Sequence, residues 1–435
     1  MDIKLGIVKG THKILSLFGR GGSLPGSVAL ALDKDFIKRF KMPKIVILVT
    51  GTNGKTTTSN LIAESLRASG LKVINNHRGD NLNVGIATLL ATNADSHYEI
   101  HADAMVIEVD ELTLYRQFAN LHPTHLVVTN FFRDQLDRAG EMETIIRKIM
   151  SVTKDFTGTL ILNGDDPNVL RLKDNAPQAK SLLFSIAKNE DSQLETDEAS
   201  EGKFCPRCGN RLHYEYYQYS HIGRFICAND HYGEIEPSVL VEKIDKENHT
   251  FTVEGKEYHS FINAIYAIYN CASVLTVMKS LNLDYENANK VFSTYKLKEG
   301  RNETFNLSKP CVINLIKNPT GANEVMKEIN SHSEEKNICI FLNDNDQDGH
   351  DVSWIWDAHF ERLNEPNIHE IVCSGLRAYD IALRLKYEGL EDKIKVIEDS
   401  HEAIHYLNEA NMNSYVMCTY TALHATRAIL RKEEK

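Results

Sequence analysis

Residues 45–58 read IVILVTGTNGKTTT, and SNLIAESLRASG follows at 59–70. A β-branched apolar run enters a glycine turn. A lysine and three threonines then open a helical pattern. This order predicts a buried strand, a tight loop and a helix N-terminus, which together turn backbone N–H groups towards an anion. The expectation is a phosphate-binding loop formed by Gly51, Thr52, Asn53, Gly54, Lys55, Thr56 and Thr57. Gly51 and Gly54 admit a close backbone approach. Lys55 is expected to reach the β- and γ-phosphates of ATP, and the Thr56 hydroxyl to hold Mg²⁺. Val49 stands where the strict eight-residue pattern has glycine.

Strand-like and helical patterns alternate on either side of the loop. MVIEVD (105–110), HLVVTN (125–130) and TLILNGDD (159–166) are apolar runs spaced by helical segments. Such alternation predicts a largely parallel sheet with helices on both faces and sites at the strands' carboxyl ends. Glu108 is the first choice for a Mg²⁺ carboxylate on the neighbouring strand, and Asp110 the second. TNFFRDQLDR (129–138) is a further strand-end cluster, with Asn130, Asp134 and Asp137 as polar candidates. Residues 240–261 read as antiparallel strands turning at KENH, and a helix follows near 262–281. Residues 295–302 read as a linker or domain edge. Beyond them CVINLI (311–316), NICIFLND (337–344), IHEIVCSG (368–375), KIKVIED (393–399) and SYVMCTY (414–420) predict a second α/β unit. The expected domains are 1–300, with a short helical segment over 1–43, and 301–435.

Composition narrows the class. A chain of 435 residues holds two or three domains. A net charge of −11 argues against a nucleic-acid binder. No apolar run reaches the length of a membrane span. The opening MDIKLGIVKGTHKILSLFGR is basic and mildly apolar and lacks a signal-peptide core. It reads first as a packing helix and second as a segment touching an anionic membrane surface, a peripheral contact at most. Five of the eight cysteines (Cys271, Cys311, Cys339, Cys373 and Cys418) lie in apolar segments and read as reduced core residues, which suggests a cytoplasmic protein.

The other three cysteines belong to FCPRCGNRLHYEYYQYSHIGRFICANDHYG (204–233), which reads as a zinc ribbon inserted at about 201–235. Cys205 and Cys208 form one knuckle, and Cys227 returns 19 residues later. Tetrahedral Zn²⁺ takes four ligands. His231 is the first choice for the fourth and Asp230 the second. A redox role for Cys-x-x-Cys, or a ribbon that has lost its metal, are the weaker readings. The segment is short and rich in tyrosine, so a metal would supply folding energy. LNDNDQDGHDVSWIWD (342–357) is the other distinctive string. Its plain reading is a polar loop anchored by Trp354 and Trp356, and it lacks the twelfth-position glutamate of an EF-hand.

GTNGKTTT, VIEVDE, TNFFRDQLDR and LNGDDP, in this order and spacing, resemble the Mur ligase family. The resemblance implies a central ATPase domain, a Rossmann-like C-terminal domain, and activation of a carboxylate as an acyl phosphate that an amine attacks. Glu108 matches the family's Mg²⁺ glutamate. Gln135 replaces the histidine of its Asp-His-Leu-Asp element, which bears on a second Mg²⁺. Asn270 matches the second of two adenine-side asparagines, with Ala267 at the first. Arg301 matches the glycine-arginine element between domains. Only about 43 residues precede the loop strand, fewer than the extra domain of relatives that bind UDP-linked precursors.

The ribbon, INLIKNPTGAN (313–323) and the aspartate-tryptophan string together resemble one branch of that family, the synthetase subunits of lipid II isoglutaminyl synthase. That likeness implies amidation of the D-glutamate α-carboxylate of the lipid II stem peptide. The ammonia would come from a GatD-like glutaminase subunit in a heterodimer. It further implies that Asp351, with Asp348 as the alternative, orients the partner's catalytic histidine. No cysteine in the chain sits on the elbow-like turn of a glutaminase nucleophile. A folylpolyglutamate synthase or amino-acid-adding ligase, and a non-catalytic P-loop binding module, are the competing readings.

Overall fold

The computed structural model describes residues 2–16, 23–77, 80–133, 142–196, 201–297 and 300–434. Asp134, Gln135 and Asp137, and with them the expectation about a second Mg²⁺, lie outside the described residues. The chain divides into two compact units. One comprises Met1–Phe131, Glu143–Thr196 and Ser200–Tyr295, and the other chiefly Lys296–Lys435.

The first unit is built on a nine-stranded sheet. Its strands are β1 (Ile45–Thr50), β2 (Val73–Asn75), β3 (Ala104–Glu108), β4 (His125–Val128), β5 (Thr159–Asn163) and β6 (Lys180–Ile186), then β9 (Val239–Asp245), β10 (Thr250–Val253) and β11 (Lys256–His259). Their spatial order is β11-β10-β9-β6-β5-β4-β1-β3-β2. All neighbours from β2 to β9 run parallel, and β9, β10 and β11 form the antiparallel edge expected around KENH. β3 and β4 are buried along their whole length, which explains why they read as continuous apolar runs and not as alternating ones. The order reverses at β1, whose neighbours β3 and β4 both lie later in the chain. In open α/β sheets ligands bind in the crevice at such a switch point.

Two N-terminal helices, α1 (Ile3–Ser16) and α2 (Leu24–Leu32), pack with α4 (Asn83–Asn93). Helix α3 (Lys55–Ala68) leaves the β1 loop and α5 (Glu111–Leu121) follows β3. The helix Ile265–Ser280 is buried without a break from Ala267 to Met278. This matches its near-uniform apolar sequence, and it packs on α3, β5 and β6. The ribbon is a separate two-stranded sheet, β7 (His213–Tyr219) and β8 (Ile222–Ile226).

The second unit is a six-stranded sheet ordered β12-β13-β17-β14-β15-β16. The strands are β12 (Arg301–Asn306), β13 (Pro310–Leu315), β14 (Lys336–Phe341), β15 (Ile368–Ser374), β16 (Ile394–Val396) and β17 (Asn413–Cys418). All run parallel except β12, an antiparallel edge where the sequence suggested only a linker. Core clusters cover both faces, and all five scattered cysteines are fully buried, as expected. Trp354 anchors this core, but Trp356 is 49% exposed. Only one of the two expected tryptophan anchors is therefore an anchor.

Candidate active site and metal centre

Strand β1 delivers the loop Gly51–Gly54 at the switch point, and α3 starts at Lys55. The loop is gripped from β4. Thr52 N–H donates to Asn130 O at 2.9 Å, and Asn53 N–H to Asn130 Oδ1 at 2.9 Å. Thr129 Oγ1 donates to Asn53 O at 2.8 Å. Both glycines hold positive φ, 122° at Gly51 and 82° at Gly54. A Cβ on Gly51 would lie 2.3 Å from Thr129 Oγ1, and one on Gly54 2.6 Å from Asn270 Oδ1. The glycines are thus required by the protein's own packing beneath the loop, besides any approach of phosphate. The Lys55 ammonium donates to Gly51 O at 2.5 Å and pairs with Glu111 Oε1 at 3.2 Å; both side chains are nearly buried.

Register sets Glu108 beside Val49, next to the loop. Glu108 is 2% exposed. Asn76 brackets its backbone, accepting from Glu108 N–H and donating to Glu108 O, each at 2.8 Å. Asn81 Nδ2 donates to Glu108 Oε1 at 2.8 Å. The second oxygen, Oε2, is buried without a hydrogen-bond partner among the described residues. An orphaned carboxylate oxygen at this depth is costly unless a cation or water meets it. A hard cation held by oxygen donors fits it, with the half-buried Thr56 hydroxyl as a second donor. Asp110, the second choice, is otherwise engaged. It caps α5 by accepting from Leu112 N–H and Thr113 N–H.

Asn270 sits under the loop, its Oδ1 accepting from Thr58 Oγ1 at 3.2 Å. Arg301 lies half-buried on β12 of the second unit. Sequence reasoning missed Asn76, Asn81 and Glu111 and gave Asn130 only as one member of a weak cluster. Only a run of asparagines after β2 hinted at the Glu108 bracket.

The aspartate string follows β14. Asp348 is 3% exposed, and its carboxylate accepts from both the backbone N–H and the hydroxyl of Thr421, in the first turn of the helix Tyr420–Glu433. It is a structural cap. Asp351 is half-buried, and hydrogen bonds from Ser353 hold its carboxyl below the ordinary value. Asp351 is thus tied to its own turn, whereas Asp348 is tied across to the helix Tyr420–Glu433.

In the ribbon, Cys205, Cys208, Cys227 and Asp230 converge, with one donor atom of each within 4.8 Å of the others. Cys205 Sγ is 3.3 Å from Asp230 Oδ2, and Cys208 Sγ is 3.5 Å from Cys227 Sγ. Burial pushes the Cys205 thiol up to about 12, a penalty that a bound cation would reverse by holding the thiolate. Three sulfurs and one carboxylate oxygen suit Zn²⁺. The first choice for the fourth ligand is corrected. His231 adopts φ 57°, which swings its ring outward to Glu234 at 3.3 Å and leaves it 71% exposed. Asp230, one residue earlier, is the side chain that lies with the three sulfurs. The ribbon is tied to the helix Pro167–Asn175 through Arg207, which forks onto Asp174 at 2.7 and 2.8 Å, and through Tyr232, whose hydroxyl donates to Pro167 O.

A nucleotide loop at the sheet's switch point, next to a strand that ends in a buried glutamate, is the arrangement of a Mur ligase, and comparison with known proteins agrees. Residues 49–230 match the Mur ligase middle domain. A pseudomurein peptide ligase type C from Methanothermus fervidus superposes with TM-score 0.68 at 20% identity, over 92% of this chain and 80% of that one. A Mycobacterium tuberculosis folylpolyglutamate synthase gives TM-score 0.60 at 13% identity, over 99% and 100%. These likenesses establish the fold.

Residues 315–423 match the MurT ligase C-terminal family. The chain is 34% identical, over 100% of both sequences, to the lipid II isoglutaminyl synthase (glutamine-hydrolyzing) subunit MurT of Streptococcus pneumoniae R6. It is also 34% identical to that of Staphylococcus aureus COL, over 88% of this chain and 87% of the relative. The chain belongs to the MurT family of ligases.

Proposed function

We propose that this subunit catalyses ATP-dependent amidation of the D-glutamate α-carboxylate in the lipid II stem peptide, giving D-isoglutamine for peptidoglycan. The full-length likeness to MurT, joined to the orphaned Glu108 oxygen beside the Lys55 loop, carries this reading. The substrate carboxylate attacks the γ-phosphorus of ATP and ADP leaves. Ammonia then attacks the acyl phosphate carbonyl, inorganic phosphate departs, and the amine loses a proton. Gly51, Thr52, Asn53, Gly54 and Thr57 cradle the phosphates with their backbone, and Lys55 spreads the developing charge. Glu108 and Thr56 hold Mg²⁺, which neutralises phosphate oxygens when bound. Asn270 supports the loop from below at the adenine side.

Ammonia comes from a GatD-like glutaminase subunit, and Asp351 holds the tautomer of that partner's catalytic histidine without itself turning over. Zn²⁺ on Cys205, Cys208, Cys227 and Asp230 is structural. The setting is cytoplasmic, at the inner face of the membrane that carries the acceptor. No helix of the described residues is long and apolar enough to cross it.

The test is substrate-dependent ADP release by the purified subunits. Lipid II with glutamine is expected to release ADP and yield amidated product, and folate none. ADP release with folate but not with lipid II would overturn the assignment.

A further inference from the structure

Helix α1 has two apolar faces. Leu5 and Val8 are fully buried on the inner one. At 100° per residue, Ile3, Ile7 and Ile14 fall within an arc of about 40° on the outer one, and they are 78%, 45% and 61% exposed. The helix cannot roll to hide them, because its inner side is pinned. Lys4 pairs with Asp33 at 3.2 Å, the Lys9 ammonium donates to Ala94 O, and Tyr98 donates to Asp2 at 2.8 Å. Helix α2, packed beside it, exposes Leu24 and Leu32 by 50% and 44%. Isolated exposed leucines need no explanation, but five large aliphatic side chains on two adjoining helices do.

The charge around them states what covers this face. Residues 1–44 carry nine Lys and Arg against three Asp, a net of +6 in a chain whose total is −11. Lys13, next to Ile14, and Lys34 and Lys44 are exposed and make no ion pair among the described residues. An apolar helical face in a segment of net positive charge, within an otherwise acidic protein, fits an anionic lipid surface: isoleucine and leucine enter the acyl boundary while lysines meet the headgroups. A second copy of this chain fits less well, since it would set +6 against +6.

We infer that the outer face of α1 and α2 is a peripheral docking surface for anionic membrane. This deepens the reading above, on which the acceptor is lipid-linked, by naming the surface that brings the subunit to it. The experiment is co-sedimentation of the full-length chain with vesicles of phosphatidylcholine alone or with about 30% phosphatidylglycerol, at low and high salt. The chain is expected to pellet with the anionic vesicles, to be released by salt, and to lose at least about tenfold in partition as Ile3→Glu/Ile7→Glu/Ile14→Glu.

Amidation of lipid II in detergent micelles checks that the triple variant is folded, and its rate is expected to be unchanged. No partition into anionic vesicles, or equal partition of the variant, would overturn the inference. So would a dimer in sedimentation that the triple variant dissociates without any vesicle binding. Vesicle binding without lipid II amidation would instead leave this surface standing and remove the proposed function.

Discussion

At the scale of single residues the catalytic argument rests on the Glu108 oxygen that has no partner among the described residues and on the Lys55 ammonium held at the loop. Lys55→Ala and Glu108→Gln are expected to lower ADP release at least about a hundredfold, the usual cost of removing a group that meets transition-state charge. Thermal melting of both variants should stay near that of the parent; a rate within about threefold would remove the ATP-site assignment. The two aspartates of the C-terminal string separate cleanly. Asp348→Ala removes the cap on Thr421 and should cost about 1–2 kcal/mol of stability, read as a lower melting temperature. Asp351→Asn should melt normally and keep amidation driven by free ammonium, but lose glutamine-dependent amidation. Equal loss with both nitrogen sources would contradict a role through the partner. Lys55 and Glu108 were readable in the sequence as candidates because one closes the glycine turn after a recognisable apolar run and the other lies at the end of such a run. Asn76 and Asn81 were not, because their duty arises from pairing with residues about 30 positions away.

At the scale of elements, buried parallel strands announce themselves as unbroken apolar runs, and each run that the sequence offered as a strand from Ile45 to Cys418 contains one. Short edges do not. The strand β12 reads RNETFN, with one fully buried side chain, so its place depends on β13 and not on its own composition. The ribbon shows the same limit in its metal corner. The knuckle spacing singles out the three cysteines that cluster, but that Asp230 lies with them while His231, at positive φ, turns outward is a matter of backbone conformation, which spacing does not encode. Metal analysis of the purified protein is accordingly expected to find about one Zn²⁺ per chain. His231→Ala should leave that content unchanged and Asp230→Ala should lower it by half or more. A chelator should then lower the melting temperature, since the small tyrosine-rich hairpin gains folding energy from the metal. The reverse pattern in the two variants would restore His231 as ligand.

At the scale of the whole molecule, stability against acid should trace partly to a histidine far from any site. His125 opens β4 between β1 and β5 and is 8% exposed, its Nδ1 lying 2.8 Å from Thr124 Oγ1. Burial first, and the charge of Lys180 second, lower it from 6.5 to about 4. A histidine depressed in the folded state stays neutral there while the unfolded chain takes up the proton. Its contribution is therefore complete above about pH 6.5 and is lost as the pH falls towards 4. The shift corresponds to on the order of 3 kcal/mol across that window. Carboxylates such as Asp95, lowered to about 2 by hydrogen bonds from Glu99 N–H and His101, also lose their contribution as the pH falls, but in a lower window, from about 4 down to 2. Denaturant unfolding of the first unit, followed from pH 7.5 to 4.5, should show this slope, and His125→Gln should flatten it while costing some stability at neutral pH. An unchanged slope in the variant would place the acid sensitivity elsewhere in the sheet.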